Sequence, residues 1–199
     1  TSADLIRYAS ATNLSGAVAL SSGAGLGNVE FQSTLDGAQA LTITAGTGNV
    51  VFTGLVGNTT PLGAITINSA ANVTGNGIRA ASFSQTAGSG TTTLNLGDFT
   101  VGTDQALGTS AVGGVSIGAH TIALNHRIDT AANGPVTLTA TTGALTIAAN
   151  GDIFADGAVT LTAAGGISTA GDVTTSADLI RYASATNLSG AVALSSGAG

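Results

Sequence analysis

The chain has 199 residues, of which 43% are hydrophobic and only 7% are charged, and its formal net charge is −6 at pH 7. This hydrophobic content excludes a conventional disordered linker, because disorder needs low hydrophobicity and high charge. Lysine is absent and only four arginines occur, so no basic surface for nucleic acid is expected. No apolar run reaches the roughly 18 residues of a membrane-spanning helix, and the absence of cysteine excludes disulfide bonds.

The opening of the chain returns at its end without a substitution. Residues 1–25 are identical to residues 175–199, so the sequence begins to repeat itself at residue 175. We therefore interpret residues 1–174 as one complete unit and residues 175–199 as the start of the next, through either a natural tandem array or an engineered duplication. A unit that continues into itself is typical of elongated repeat proteins, so we expect a solenoid rather than a closed domain.

The first predicted element is the segment 3–14, whose copy is the segment 177–188. Its apolar residues have a helix-like spacing, which predicts a single helical turn or a loop that projects outward from the solenoid. Helices are disfavoured over the rest of the chain because glycine recurs throughout. Each glycine inside a helix costs about 1 kcal/mol relative to alanine.

Alternation of apolar residues with Thr, Asn or Ser predicts short strands over the remaining sequence. Clear examples are the two VTLTA segments at 136–140 and 159–163. The strands that we expect to align begin at Val18, Leu41, Ile65, Leu94, Val115, Val136, Val159 and Val192. Asn-Gly and Asp-Gly pairs lie between strands and accept the positive φ that sharp corners demand.

The spacing of these strands predicts the architecture. Most successive starts are separated by roughly 20–25 residues, a period typical of solenoids, and Val192 is the copy of Val18 in the next unit. We therefore predict an all-β fold, a parallel β-helix or β-solenoid with about seven to eight turns per unit. Both copies of the repeated segment are expected at the same point of the coil. The motif Gly-Ala-φ-x-φ occurs at both Gly143 and Gly157, an interval shorter than one turn, which favours strands on more than one side of each turn.

One stretch resembles a known family. It reads GPVTLTATTGALTI from residue 134, then NGDI from residue 150 and GAVTLTAAGGI from residue 157. This pattern resembles the filamentous-haemagglutinin-type repeats of large bacterial surface proteins, which are exported by two-partner secretion or as autotransporters. The resemblance is strongest from residue 135 to 167. It implies a right-handed parallel β-helix in an exported adhesin, matrix or filament protein, located at the cell surface or outside the cell.

Titratable residues form no strong catalytic or metal pattern. His120 and His126 lie six residues apart near Arg127 and Asp129, but no third metal ligand is evident and we interpret both as surface or loop histidines. The outward Thr-x-Thr pattern is shared with ice-binding solenoids. The irregular turn lengths disfavour a match between such a threonine array and the ice lattice. We expect no metal and no cofactor.

Carboxylates are the candidates for a polysaccharide-cleaving set, since β-helices with that activity place several of them in a groove. Asp98 and Asp104 are close in sequence, and Asp152 and Asp156 are four residues apart. Most Asp residues neighbour glycine, however, which indicates corners rather than an acid and base pair. We therefore expect no catalytic residue and no enzyme.

Two Arg-Tyr pairs contain the only tyrosines of the chain. They are Arg7 with Tyr8 in the first copy, and Arg181 with Tyr182 in the second. These four residues are candidates for lateral contacts between neighbouring fibres, and the alternative is that they cover the edge of the solenoid.

The expected function is structural: a repeat of an extracellular filament or surface fibre whose units continue end to end. Its expected partners are copies of itself, either as a covalent tandem or as stacked subunits, with bundling side by side. Nucleic acid is not expected as a partner, and the chain is not expected to span a membrane. The alternative is the stalk of a bacterial adhesin that presents a binding domain outside this sequence. A polysaccharide-active β-helix enzyme is the remote alternative.

Overall fold

Short strands account for all regular secondary structure in the described part of the chain. The computed structural model describes residues 4–100 and 103–197. The strands are β1 (Ile6–Tyr8), β2 (Thr12–Asn13), β3 (Val18–Ser21), β4 (Val29–Phe31), β5 (Leu35–Asp36), β6 (Leu41–Thr44), β7 (Val50–Phe52), β8 (Leu62–Ser69), β9 (Val73–Asn76), β10 (Ile78–Gln85), β11 (Thr91–Asn95), β12 (Leu107–Thr109), β13 (Val115–Ala119), β14 (Thr121–Leu124), β15 (Ile128–Thr130), β16 (Val136–Ala140), β17 (Leu145–Ile147), β18 (Ile153–Ala155), β19 (Val159–Ala163), β20 (Ile167–Thr169), β21 (Val173–Thr175), β22 (Ile180–Tyr182), β23 (Thr186–Leu188) and β24 (Leu194–Ser195).

Successive strands lie on three faces of a coil, which we call faces A, B and C. Face A is a sheet of nine strands in the order β1-β4-β7-β9-β11-β14-β17-β20-β23. Face B contains β3, β6, β8, the second half of β10, β13, β16, β19 and β22. Face C contains β2, β5, the first half of β10, β12, β15, β18, β21 and β24. The chain visits the faces in the order A, C, B.

Strand pairing confirms the predicted parallel β-solenoid. Each named strand pairs in parallel with its equivalent in the turn before or after it, and Val56 continues face C by single bridges to Leu35 and Ile78. The solenoid has about eight turns. Each turn of the coil has three strand positions, one on each face. If β1 occupies the first position, β22 occupies the twenty-fourth, so the coil advances by seven and two-thirds turns over one repeat unit. This agrees with the predicted seven to eight turns per unit.

The core consists of apolar columns that run along the axis. On face B, Val115, Val136 and Val159 follow one another in register, and each is at most 1% exposed. Their outward neighbours Thr137 and Thr160 are in register as well. Because each turn buries the inward side chains of the next, small branched residues are enough to fill this narrow core.

Two positions of the predicted aligned series are wrong, Leu94 and Val192, and Val192 precedes β24 on face C. Leu94 lies on face A, in β11, and the strand that continues face B at that turn contains Phe83. The expectation of strands on more than one side is confirmed. The motif after Gly143 leads into β17 on face A, whereas the motif after Gly157 leads into β19 on face B.

The predicted helical turn or projecting loop is also wrong. The described residues of the two segments form strands instead, β1 and β2 in one and β22 and β23 in the other. Residue 3, where the first predicted segment begins, lies outside the described residues. The strands lie in the wall of the solenoid, with Ile6 and Tyr8 packed against the core. No helix in the described residues is long and apolar enough to cross a membrane.

The two identical copies occupy different faces, so the prediction that they share one point of the coil is wrong. In the first copy, β1, β2 and β3 lie on faces A, C and B. In the second copy, β22, β23 and β24 lie on faces B, A and C. The physical reason is that the repeat does not contain a whole number of turns. The division of the chain into residues 1–174 and 175–199 stays a prediction.

Candidate interaction site at the end turns

The two copies of the repeated sequence pair through opposite edges. The first turn, β1–β3, pairs with the turn that follows it, β4–β6. The last turn, β22–β24, pairs with the turn that precedes it, β19–β21. Among the described residues, the opposite edge of each copy has no partner strand. The same sequence is therefore seen paired on one edge at the start of the chain and on the other edge at the end.

The outward side chain of the first Arg-Tyr pair forms an ion pair with the next turn. Arg7 lies in register with Glu30, and its Nε donates to Glu30 Oε2 at 2.9 Å. The side chain of Arg7 is 46% exposed and that of Glu30 is 18% exposed. Asn28 Nδ2 donates to the other carboxylate oxygen of Glu30 at 3.3 Å. This carboxylate is thus held between two donors and positioned to receive the arginine.

The inward side chain of the same pair begins an aromatic stack. The ring of Tyr8 lies 4.9 Å from that of Phe31, with 8° between the ring planes, and Phe31 lies 5.4 Å from Phe52. The next position in register is Gly75, where an added Cβ would meet Ile78 Cδ1 at 2.8 Å. The isoleucine side chain therefore ends the stack. Tyr8 closes it at the other end and is half-buried because no turn covers it among the described residues.

The second Arg-Tyr pair has different neighbours because it uses the other edge. Arg181 is exposed and lies in register with Thr160, whereas Tyr182 is half-buried over Leu161. Burial raises the pKa of the Tyr182 hydroxyl. Among the described residues, no strand pairs with the edge of Arg181 and Tyr182 that corresponds to the Glu30 side of the first copy.

The last turn exposes apolar side chains along this open edge. Leu179, Leu188 and Leu194 are 62%, 61% and 56% exposed. Tyr182 and Val192 line a hollow of about 130 Å³ together with two of these leucines. An apolar, hydrogen-bonding edge of this kind is a template for another strand.

Lateral contact through the Arg-Tyr pairs stays a prediction, and the structure sharpens which atoms are suited to it. Only the arginines face outward, while both tyrosines point toward the core. The structure does not place the two pairs on one face, because β1 belongs to face A and β22 to face B.

The histidines have separate surroundings. His120 is exposed and its Nδ1 shares a hydrogen bond with the Thr142 hydroxyl, while His126 is half-buried. Arg127 pairs with Asp129, and this hydrogen bond raises the pKa of the guanidinium. Within residues 4–100 and 103–197, no three His, Asp or Glu side chains form a group that could hold a metal ion.

Three of the four aspartates of the candidate catalytic set accept hydrogen bonds from backbone amides at corners, and the fourth, Asp98, is exposed. Asp104 Oδ1 accepts from the Phe99 amide at 2.8 Å, within one loop. Asp152 Oδ1 accepts from the amide of Asp172 at 2.8 Å, one turn further on. Asp156 accepts from the amide of Asn133 at 2.8 Å. These contacts agree with the corner role that their glycine neighbours indicate.

A shallow groove along face C is a feature that the sequence does not suggest. Two adjoining hollows of about 210 and 330 Å³ share Asp129 and Thr130. Arg79 and the buried Thr109 line the first hollow, and Phe154 lines the second. These residues come from separate turns and are brought together only by the coil, so no local motif signals the groove.

Comparison with known proteins finds no relative, since no family model, no curated protein and no solved structure matches the chain. The strand pairing by itself shows that the chain is a parallel β-solenoid. The resemblance of residues 134–167 to filamentous-haemagglutinin-type repeats rests on those residues alone.

Proposed function

We propose that this chain is a structural repeat of an exported bacterial filament or surface fibre of the filamentous-haemagglutinin type. Its units continue end to end outside the cell, and its partners are further copies of itself. The role is mechanical: parallel strands carry hydrogen bonds from each turn to the next along the whole axis. The resemblance of residues 134–167 supports the class of protein, and the solenoid supports the mechanical role.

One observation carries the end-to-end arrangement. The first and last turns have the same sequence, and between them the two copies display that sequence paired on both of its edges. A segment that can pair with a neighbouring turn on both of its edges is suited to the interior of a longer solenoid. The repeated segment therefore suits the seam between successive units, whether the units are covalently joined or separate subunits.

Imaging of the native material tests this proposal. A uniform fibre whose structure repeats at each unit is the expected result. A short spike with a distinct tip would contradict it and would favour the alternative, an adhesin stalk that presents a separate binding domain. The mass of the protein under denaturing conditions then distinguishes the two forms of the fibre, because a covalent array has a mass many times that of one unit.

A further inference from the structure

The turn formed by β4–β6 is a binding surface for the repeated sequence. The first copy occupies it through three parallel strand pairs, with Tyr8 stacked on Phe31 and Arg7 paired with Glu30. Because residues 175–199 repeat residues 1–25, the second copy has every side chain that these contacts require. In the described part of the chain, the edge of the second copy that would make them is open.

We propose that, in a fibre built of this chain as separate subunits, the last turn of one molecule displaces the first turn of a second molecule from β4–β6 and takes its place. This inference rests on the proposed end-to-end function and identifies the contact that joins successive units. The partner is a second copy of this chain. In the joined state Arg181 pairs with the second molecule's Glu30 and Tyr182 stacks on its Phe31, as Arg7 and Tyr8 do within one chain. The displaced first turn leaves the solenoid.

The number of interfaces between turns is the same before and after this exchange. One interface between turns is lost, that of the displaced copy, and an equivalent interface is formed by the incoming copy with the same side chains. The displaced segment regains conformational freedom, which offsets the cost of bringing two molecules together. The incoming copy is then paired on both edges, and the exposed Leu188 and Leu194 acquire a covering turn.

Direct stacking of intact ends is less favourable when like strands meet. Placing β1 of one molecule against β22 of another in register would set Arg7 beside Arg181, both of which point outward. Like charges directly opposite each other destabilise a strand pair. Exchange instead sets Arg181 beside a carboxylate, so charge favours the exchanged joint.

Two charge-swapped double variants of the full chain test the exchange. Glu30→Lys with Arg181→Glu makes the internal pair repulsive, because Arg7 then faces a second cation, and makes the intermolecular pair attractive. Glu30→Lys with Arg7→Glu does the opposite. Both variants have the same composition and net charge, so each is the matched control of the other. Sedimentation velocity at a series of concentrations measures the ratio of joined to single molecules.

We expect that ratio to be about tenfold higher in the variant with Arg181→Glu, because two surface pairs change sign in opposite directions. Equal ratios, or a higher ratio in the variant with Arg7→Glu, would overturn the exchange. Circular dichroism of both variants checks that the solenoid is retained.

Cysteine pairs give a second measurement that does not depend on charge, since the chain has no cysteine of its own. In-register residues on neighbouring parallel strands lie about 4.8 Å apart, a spacing that a disulfide can bridge. Glu30→Cys with Arg7→Cys should give an oxidised monomer. Glu30→Cys with Arg181→Cys should give oxidised dimers and longer chains, and a monomer there would overturn the exchange. If the unmodified chain forms fibres but this crosslink is missing, the exchange fails and the proposed function stands; if no fibre forms, the proposed function fails as well.

Discussion

At the scale of the residue, the inward aromatic stack holds two of the largest buried side chains, Phe31 and Phe52. Phe31 is 2% exposed and Phe52 fully buried, whereas Phe154 faces outward and is 38% exposed beneath the Arg127 guanidinium. The same residue type thus occurs in two opposite environments in one chain. A large buried ring cannot be removed without leaving a cavity, while a ring at the surface is replaced by water.

We therefore expect Phe52→Ala to lower the free energy of unfolding by about 3–5 kcal/mol, through lost burial and the cavity left between Phe31 and Ile78. Phe154→Ala is the matched control and should cost about 1 kcal/mol or less, mainly its contact with Arg127. Urea unfolding followed by far-ultraviolet circular dichroism measures both. Similar losses in the two variants would contradict the assignment of inward and outward faces.

We expect the stability of the fold to be sensitive to acid through the carboxylate of Asp156. The carboxylate accepts from the Asn133 amide at 2.8 Å and from the Ser176 hydroxyl at 2.9 Å, which joins three successive turns. The backbone hydrogen bond from Asn133, followed by that of Ser176, lowers the pKa of Asp156 below its ordinary value. The ionised form therefore stabilises the fold above the unfolded-state pKa of about 4, and this contribution is lost as pH falls through the folded-state pKa.

Asp156→Asn should consequently flatten the loss of stability between about pH 5 and pH 2, because the amide has no proton to take up. Urea midpoints at several pH values measure this. Asp98→Asn removes the same charge at an exposed position and serves as the control. If both variants lost stability on acidification as steeply as the unmodified chain, the coupling of Asp156 to folding would be refuted.

At the scale of the element, a ladder of asparagines holds together the corners that precede face A. Asn28 Oδ1 accepts from the Asn49 amide at 2.9 Å, Asn49 Oδ1 accepts from the Asn72 amide at 3.1 Å, and Asn72 Oδ1 accepts from the Thr91 amide at 2.8 Å. The side-chain amides of Asn49 and Asn72 also donate along the ladder. The side chain of each asparagine thereby accepts a hydrogen bond from the backbone of the corresponding corner in the next turn.

Asn49→Ala should lower the free energy of unfolding by about 1–2 kcal/mol, because the backbone amide of Asn72 loses its acceptor. Asn49→Asp keeps that acceptor and should cost less. Asp172 already plays the corresponding role elsewhere, since its carboxylate accepts from the Ala193 amide at 2.7 Å. Urea unfolding measures the two variants, and an equal cost would show that the ladder contributes little.

Sequence alternation predicts the strands well where both inward positions are apolar, and less well where they are not. The strand on face B at Phe83 escapes prediction because its next inward position is Gln85, which is 2% exposed. The Thr92 hydroxyl donates to Gln85 Oε1 at 2.8 Å, which satisfies the amide oxygen inside the core. A buried polar pair of this kind interrupts the apolar pattern, so the pattern places the neighbouring Leu94 on the wrong face.

The candidate site is only half visible in the sequence. The repetition of the Arg-Tyr pair signals that it matters, but its partner Glu30 is 23 residues away and meets Arg7 only through the register of one turn. The opposite orientation of Arg7 and Tyr8 follows from the period of two in a strand. The face that each copy occupies depends on the number of corners between the two copies. A local sequence pattern does not give that number.

At the scale of the whole molecule, the fractional number of turns has a consequence for any array of units. After one repeat unit the chain has advanced seven and two-thirds turns, so the next copy of a given strand lies on a different face. The groove on face C would therefore not form a straight line along a fibre. It would move to another face with every unit, in a covalent array and in an exchanged one alike, since both use the same contacts.

We predict that a fibre of these units has a rise of about 37 Å and a rotation of about 120° per unit, added to the small twist of the solenoid. The rise follows from seven and two-thirds turns at about 4.8 Å each, and equivalent faces realign only after three units, or about 110 Å. Helical reconstruction from electron micrographs measures both quantities. A rotation close to zero with the same rise would mean that the repeat closes on a whole number of turns, and that the second copy leaves face B when a following unit covers it.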